Sequence, residues 1–221
     1  MVKDNINKVF KKISKYYDKI LIKYRNSPRS VGQININTLE KRLSILFEVG
    51  NLKNSKILDF GCGTGYLYSY LKKKIKFNGE YVGYDISNEM INFAKKKYKK
   101  ARFENKNIFK DKINERFDYV LINGTFNYRF KKNFSWIKKT LKILFKKTNK
   151  AIAFNNMTSY VDYKDEILYY ANPEKIFNYC NSYLTPMVLL RHDYQIKKNK
   201  LPYEFTTYIY KTKIKTRKLL K

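Results

Sequence analysis

Residues 56–65, Lys-Ile-Leu-Asp-Phe-Gly-Cys-Gly-Thr-Gly, constrain the fold more than any other stretch of the chain. Ile57 and Leu58 close a short apolar run of the kind that forms a buried strand, and Asp59 follows directly. Gly61, Gly63 and Gly65 then alternate with Cys62 and Thr64. Glycine tolerates positive φ and carries no Cβ, so such a turn lets backbone pass close to a ligand. Tyr66 to Lys74 reads as a helix, which puts the loop at a helix N-terminus. Strand, glycine turn and helix N-terminus together make the ligand corner of a doubly wound α/β sheet.

The spacing is not Gly-x-Gly-x-x-Gly, and no Lys-Ser/Thr follows as in a phosphate-binding loop. An acid just before the glycines does not suit a pyrophosphate; it suits a ligand with a cationic end. Glu80 to Ser87 reads as a second strand ending at Asp85, 20 residues after Gly65. An acid there can accept hydrogen bonds from a ribose 2′-OH. Asn88 to Lys100 reads as a helix with Met90, Ile91, Phe93, Ala94 and Tyr98 on its apolar face. Arg102 to Phe109 looks like a third strand and its loop, and Phe117 to Phe126 like a buried strand with Asn123-Gly124 at its carboxyl end.

Asp59-x-Gly61-x-Gly63-x-Gly65 matches, position by position, the first motif of the class I S-adenosylmethionine (SAM)-dependent methyltransferases, and residues 55–125 resemble that family. The resemblance implies an α/β fold: a doubly wound, mostly parallel seven-stranded sheet with helices on both faces, the last strand antiparallel, and an N-terminal helical cap. It implies SAM as cofactor and S-adenosylhomocysteine (SAH) as product. Gly61, Cys62, Gly63 and Gly65 then lie against the methionine part of SAM, Asp59 helps hold its ammonium, and Asp85 holds both ribose hydroxyls. Ile86, Asn107, Ile108 and Asn123 complete the expected cofactor set. Asn107 stands where the family often has an Asp that accepts from the adenine amino group, and Asn105 is a rival for that role. Enzymes that methylate a base exocyclic amine usually carry Asn/Asp-Pro-Pro-Tyr/Phe at the end of the fourth strand. Asn123-Gly124-Thr125-Phe126 departs from that pattern and argues against such an acceptor.

The chain has 221 residues and a formal net charge of +30, which would ordinarily point to nucleic acid or an anionic membrane. Only eight of its 48 basic residues are Arg, however, and Lys, Asn, Ile, Tyr and Phe are abundant together. These residues share A/T-rich codons, so compositional drift competes with selected polyanion binding as the source of the charge. No apolar run is long enough to span a membrane and no signal peptide is read. Cys62 and Cys180 form no metal-ligand spacing. The expectation is a cytoplasmic protein with reduced thiols and no metal site.

Residues 4–24 carry apolar positions at a helical period with Lys on much of the other face, and an N-terminal helix in this family often covers the SAM pocket. Residues 25–33 read as a loop punctuated by Pro28 and Gly32. Thr38 is expected to cap a helix reaching about Val49. Phe134 to Phe145 reads as a helix, and Lys150 to Phe154 as a fifth strand ending at Asn155. Tyr160 to Tyr170 reads as a tyrosine-rich insertion, and Asn172-Pro173 as a helix start. Thr185 to Arg191 and Tyr203 to Tyr210 form a closing hairpin. The expected division is residues 1–50 as cap and substrate-side segment, 51–212 as the SAM domain and 213–221 as a basic tail.

Methyl transfer from a sulfonium needs mainly an aligned nucleophile, and a hydroxyl acceptor also benefits from a general base. His192 is the only histidine and the candidate base. Tyr160, Asp162 and Asn155 are candidates for acceptor binding, and Arg42 and Gln33 for contact with substrate or the SAM carboxylate. The preferred reading is transfer to a hydroxyl of a small polar or sugar-like metabolite. Two readings stay open beside it: an RNA methyltransferase, supported by the charge, and a SAM-binding scaffold without turnover.

Overall fold

The structure is a computed structural model, and it describes residues 3–25, 27–32, 35–198 and 200–212. The expected basic tail and Gln33 lie outside the described residues. The chain opens with helices α1 (Lys3–Tyr24) and α2 (Ile36–Phe47), then alternates β1 (Ile57–Phe60), α3 (Tyr66–Ile75), β2 (Tyr81–Asp85), α4 (Asn88–Lys97) and β3 (Arg102–Asn105). It continues through β4 (Phe117–Ile122), α5 (Asn133–Lys146), β5 (Thr148–Thr158), β6 (Tyr170–Ala171), α6 (Pro173–Tyr183), β7 (Val188–Arg191) and β8 (Glu204–Tyr210).

One sheet holds all eight strands, seven of them in the order β3-β2-β1-β4-β5-β8-β7. Strands β1 to β5 run parallel, β8 runs antiparallel to both β5 and β7, and the fold is therefore the doubly wound sheet with an antiparallel last strand. The eighth strand was not expected. β6 is a two-residue pairing in the tyrosine-rich insertion, Met157 with Tyr170 and Thr158 with Ala171, too short to leave a period in the sequence.

The central strands are buried at nearly every position, and successive side chains feed a core on each face in turn. Leu58, Val120 and Ile152 pack with Trp136, Ile137 and Leu141 of α5 and with Phe10 and Ile13 of α1. Ile57, Leu121 and Ala153 pack on the other side with Leu39 and Leu43 of α2 and with Leu67 and Leu71 of α3. A fully buried side chain of this size contributes roughly 1.5–3 kcal/mol, so the sheet is held firmly from both faces. The caps follow short side chains. Ser87 Oγ accepts from Met90 N–H at 3.0 Å to start α4, and Asn172 Oδ1 from Lys175 N–H at 2.8 Å to start α6. In α2 the expectation needs correction. Asn35 is the cap, its Oδ1 accepting from Thr38 N–H at 3.0 Å, and Thr38 sits inside the first turn with its hydroxyl donating back to Asn35 O.

Strand order reverses between β1 and β4, so their carboxyl ends open a crevice on one edge of the sheet. Among the described residues no helix is long and apolar enough to cross a membrane, and no group of three or more His, Cys, Asp or Glu is placed to hold a metal ion.

Candidate functional site

That crevice widens into a cavity of about 860 Å³, near the upper end of ordinary ligand pockets. One half of it is built on the carboxyl ends of β1, β2 and β4. Gly61 and Cys62 N–H both donate to Tyr84 O, at 2.7 and 3.0 Å, which turns the loop across the end of β2. Gly63 N–H donates to Asp85 Oδ2 at 2.8 Å and Ser87 N–H to Asp85 Oδ1 at 2.9 Å. The Asp85 carboxylate is thus aimed, with lone pairs left over for a ligand. Gly61 has φ +77°, and a Cβ there would stand 2.2 Å from Thr125 Oγ1, which itself donates to Phe60 O at 2.9 Å. Only glycine fits where the β1 and β4 loops touch.

Asp59 is buried, with Tyr81 hydroxyl donating to its Oδ2 at 2.6 Å. Burial pushes its carboxyl up to about 7; the Asp85 charge adds to that and the Tyr81 bond opposes it. Burial also raises Asp85, against the hydrogen bonds it receives from Ser87, Gly63 and Ile86 N–H. Among the described residues no basic side chain pairs with Asp59. A buried carboxylate without a cation, beside a second one placed for hydroxyls, fits the ammonium and ribose of SAM.

Helix α1 lies over this half. Asp18 Oδ1 accepts from Ser87 Oγ at 2.5 Å, which ties α1 to the start of α4 beside Asp85. The other half of the cavity is walled by Tyr16 and Tyr17 of α1, Asn127 and Tyr128 after β4, and Asp162 and Asp165 of the insertion. The rings of Tyr16 and Tyr17 meet edge-on at 5.3 Å, and those of Tyr16 and Tyr128 lie 5.5 Å apart. Backbone bonds from Arg129 N–H to Ile167 O and from Tyr169 N–H to Asn127 O, both 2.8 Å, join the insertion to the β4 loop.

A polar relay runs behind the β4 loop. Gly124 N–H donates to Asn155 Oδ1 at 2.6 Å, and Asn155 Nδ2 donates to Asn123 Oδ1 at 3.1 Å and to Glu204 Oε2 at 3.2 Å. Arg42 Nε donates to Glu204 Oε1 at 2.6 Å. Burial lifts the Glu204 carboxyl, while Arg42 and Asn155 hold it back.

Of the residues singled out in the sequence, Asp59, Gly61, Cys62, Gly63, Asp85, Ile86, Asn107, Ile108, Asn123 and Asp162 line the cavity, as does Arg42. Gly65 stands behind the loop as the left-handed cap of α3. Asn105 turns its amide to Asp85 O and does not line this cavity, whereas Asn107 does, its own Oδ1 accepting from Phe109 N–H at 3.1 Å. Asn155 is buried in the relay rather than in the wall.

Two candidates are not brought in. Tyr160 is exposed and its hydroxyl donates to Glu174 Oε1 at 2.7 Å. His192 does sit at the carboxyl end of a strand, but that strand is the edge strand β7, with β8 and β5 between it and β4. Its ring packs against Tyr160 and Phe205, and Asp193 pairs with Arg191 instead. Sequence reasoning missed Glu204, Tyr16, Tyr17 and Tyr128. Glu204 did leave a signal, as the one acid in the apolar run of the last strand.

The model of a methyltransferase domain family matches residues 51–202, which span β1 to β7, the glycine loop, Asp59 and Asp85. The chain is a class I SAM-dependent methyltransferase. The Rv1506c protein of Mycobacterium tuberculosis, named as a methyltransferase, is 35% identical over 162 residues, 70% of this chain and 92% of that protein. Magnesium protoporphyrin IX methyltransferase from Synechocystis PCC 6803 with bound SAM superposes with a TM-score of 0.60 at 14% identity, covering 82% of this chain and 86% of that one. The plantazolicin methyltransferase BpumL in complex with a triazolic analog and SAH gives a TM-score of 0.61 at 18% identity, over 91% and 90% of the two chains. The last two likenesses show the fold of this methyltransferase and leave its acceptor open.

Proposed function

We propose that this methyltransferase carries the methyl group of SAM to a hydroxyl of a small polar, sugar-like molecule. The observation that supports the reading is the half of the cavity beyond Asn123. Its walls are tyrosine rings with hydroxyl tips, among them Tyr16, Tyr128, Tyr170 and Tyr203, with the Asn127 amide between them. Aromatic bodies cover the apolar faces of a compact ligand and the tips exchange hydrogen bonds with its hydroxyls.

SAM supplies a methyl group on a sulfonium that leaves as a neutral thioether, so alignment is the main demand on the protein. Asp59 holds the ammonium of the cofactor and Asp85 its ribose in this reading. Asn123 forms the wall beside the reacting atoms, and α1 with the insertion keeps water out. His192 does not line the cavity and packs its ring against Tyr160 and Phe205, so this reading gives it no part as base. In this reading the carboxylate of Asp162 or Asp165, both of which line the cavity, takes the hydroxyl proton.

The test is transfer of labelled methyl from SAM into an extract of the source cells, fractionated afterwards and compared with Asp59→Ala. Label in small molecules or glycans, absent with the variant, is the expected result. Label in RNA would replace this acceptor with the polyanion suggested by the net charge. SAH binding without transfer to any fraction would favour a scaffold.

A further inference from the structure

The relay behind the β4 loop determines which chemical group faces the acceptor. An amide looks alike either way round, so its direction must be deduced from partners that have no choice. Two such partners hold Asn155. Gly124 N–H can only donate, so the atom it touches is Asn155 Oδ1, at 2.6 Å. Glu204 is fixed by Arg42, which can only donate, so its carboxylate accepts on both sides, from Arg42 Nε at 2.6 Å and from Asn155 Nδ2 at 3.2 Å. Asn155 Nδ2 therefore donates its second hydrogen to Asn123, 3.1 Å away, and the receiving atom is Asn123 Oδ1. What remains of the Asn123 amide is Nδ2. Among the described residues it has no partner, and Asn123 lines the cavity. The carboxyl end of β4 thus presents a hydrogen-bond donor.

We infer that the methyl acceptor atom is an oxygen, held by a hydrogen bond from Asn123 Nδ2, and that Glu204 and Asn155 are the positioning residues that turn this donor outward. An ammonium or an amine N–H meets a donor there and is turned away, because two donors facing each other in a dry site leave both unsatisfied. An oxygen keeps one lone pair for the methyl carbon while another accepts from Asn123. In the transfer the oxygen–carbon bond forms, the carbon–sulfur bond breaks and its electron pair stays on sulfur. A hydroxyl also gives up its proton to a neighbouring carboxylate, whereas a carboxylate acceptor has none to lose. The inference rests on the methyltransferase reading of the site and narrows it to oxygen acceptors.

Reversing the relay is the test. Glu204→Gln leaves a single acceptor oxygen between two donors, and Asn155→Asp sets two carboxylates against each other, so each single variant lowers the unfolding midpoint. Combined, they fit again. The amide now at position 204 accepts from Arg42 and donates to the carboxylate now at position 155. That carboxylate accepts from Gly124 N–H, and Asn123 must turn its nitrogen inward and its oxygen to the cavity. The double variant is expected to recover the unfolding midpoint and bind SAH within about threefold of wild type, yet to transfer labelled methyl at least ~100-fold more slowly. Asn123→Asp, which keeps the bond from Asn155 and puts an oxygen toward the cavity, gives the same loss without disturbing the relay. The wild-type product is analysed for linkage. A base-labile methyl ester or a stable methyl ether supports the inference, and the ester alone would overturn the hydroxyl acceptor proposed above. N-linked label from wild type, or wild-type rates in both the double variant and Asn123→Asp, overturns the inference. Failure of wild type to bind SAH by calorimetry would overturn the inference together with the site reading on which it rests, and is told apart from the other results by that readout.

Discussion

The two halves of the cavity are made in different ways. The cofactor half comes from the ends of β1, β2 and β4, and its key contacts are donated by backbone N–H groups, Gly63 to the Asp85 carboxylate and Gly61 to Tyr84 O. The acceptor half is assembled from α1, the β4 loop, the insertion and the β7–β8 connection, segments that meet only in the folded chain. A site drawn from adjoining strand ends is carried by short sequence patterns. A site drawn from four separate segments is not, because no local spacing records which side chains will face each other.

The contrast predicts that changes in the first half act on the cofactor and changes in the second half spare it. Asp85→Ala should have the largest effect. It removes the ribose acceptor and frees the backbone N–H groups of Gly63, Ile86 and Ser87, and hydrogen bonds to a charged group are worth about 1.5–3 kcal/mol each. SAH affinity measured by calorimetry should fall by ~100-fold or more. An affinity within a few-fold of wild type would break the comparison at its strongest point.

Asp59 gives an intermediate effect with a sign that can be worked out. Its carboxyl, pushed up to about 7 in the fold, titrates near 4 in the unfolded chain. The folded state therefore binds the extra proton between these values, and stability without cofactor declines as pH rises from ~4 through about 7. SAM binding should run the other way, tightening as Asp59 ionises opposite the ammonium and weakening again once that amine loses its proton near ~8. Asp59→Asn keeps an oxygen for the Tyr81 hydroxyl and should flatten the rising limb. Calorimetry at a series of pH values decides it, and an unchanged profile in the variant would assign the limb to another group.

Tyr128→Phe sharpens the comparison from the other side. SAH affinity should stay near wild type, while the concentration of acceptor needed for half-maximal transfer rises by roughly fivefold, the cost of about one neutral hydrogen bond. The smallest effect belongs to His192→Ala. With its ring against Tyr160 and Phe205 on the edge strand, turnover should be unchanged within twofold or so, the level of an ordinary substitution away from a site. A large loss of turnover at constant SAH affinity would return the histidine to the chemistry.

Much of the fold was legible. The start of α3 at Tyr66, the end of β2 at Asp85 and the Asn172 cap of α6 stand where the sequence placed them, since glycine turns, strand-end acids and caps act within a few residues. The cap of α2 was misplaced by three positions because Asn35 and Thr38 both suit the role and only the observed bond separates them. The place of His192 on the edge strand was not legible, because its spacing after an apolar strand says nothing about where that strand enters the sheet.

The sequence by itself determined the ligand corner. Asp59, the glycines and Asp85 are bound to their geometry by backbone conformation and strand direction, which local chemistry dictates. Tertiary structure alone decided the direction of the Asn123 amide. That direction depends on Asn155, on Glu204 49 residues further along, and on Arg42 162 residues before Glu204. Hydrogen-bond polarity passes through space from one fixed donor to the next, and no stretch of sequence contains that path.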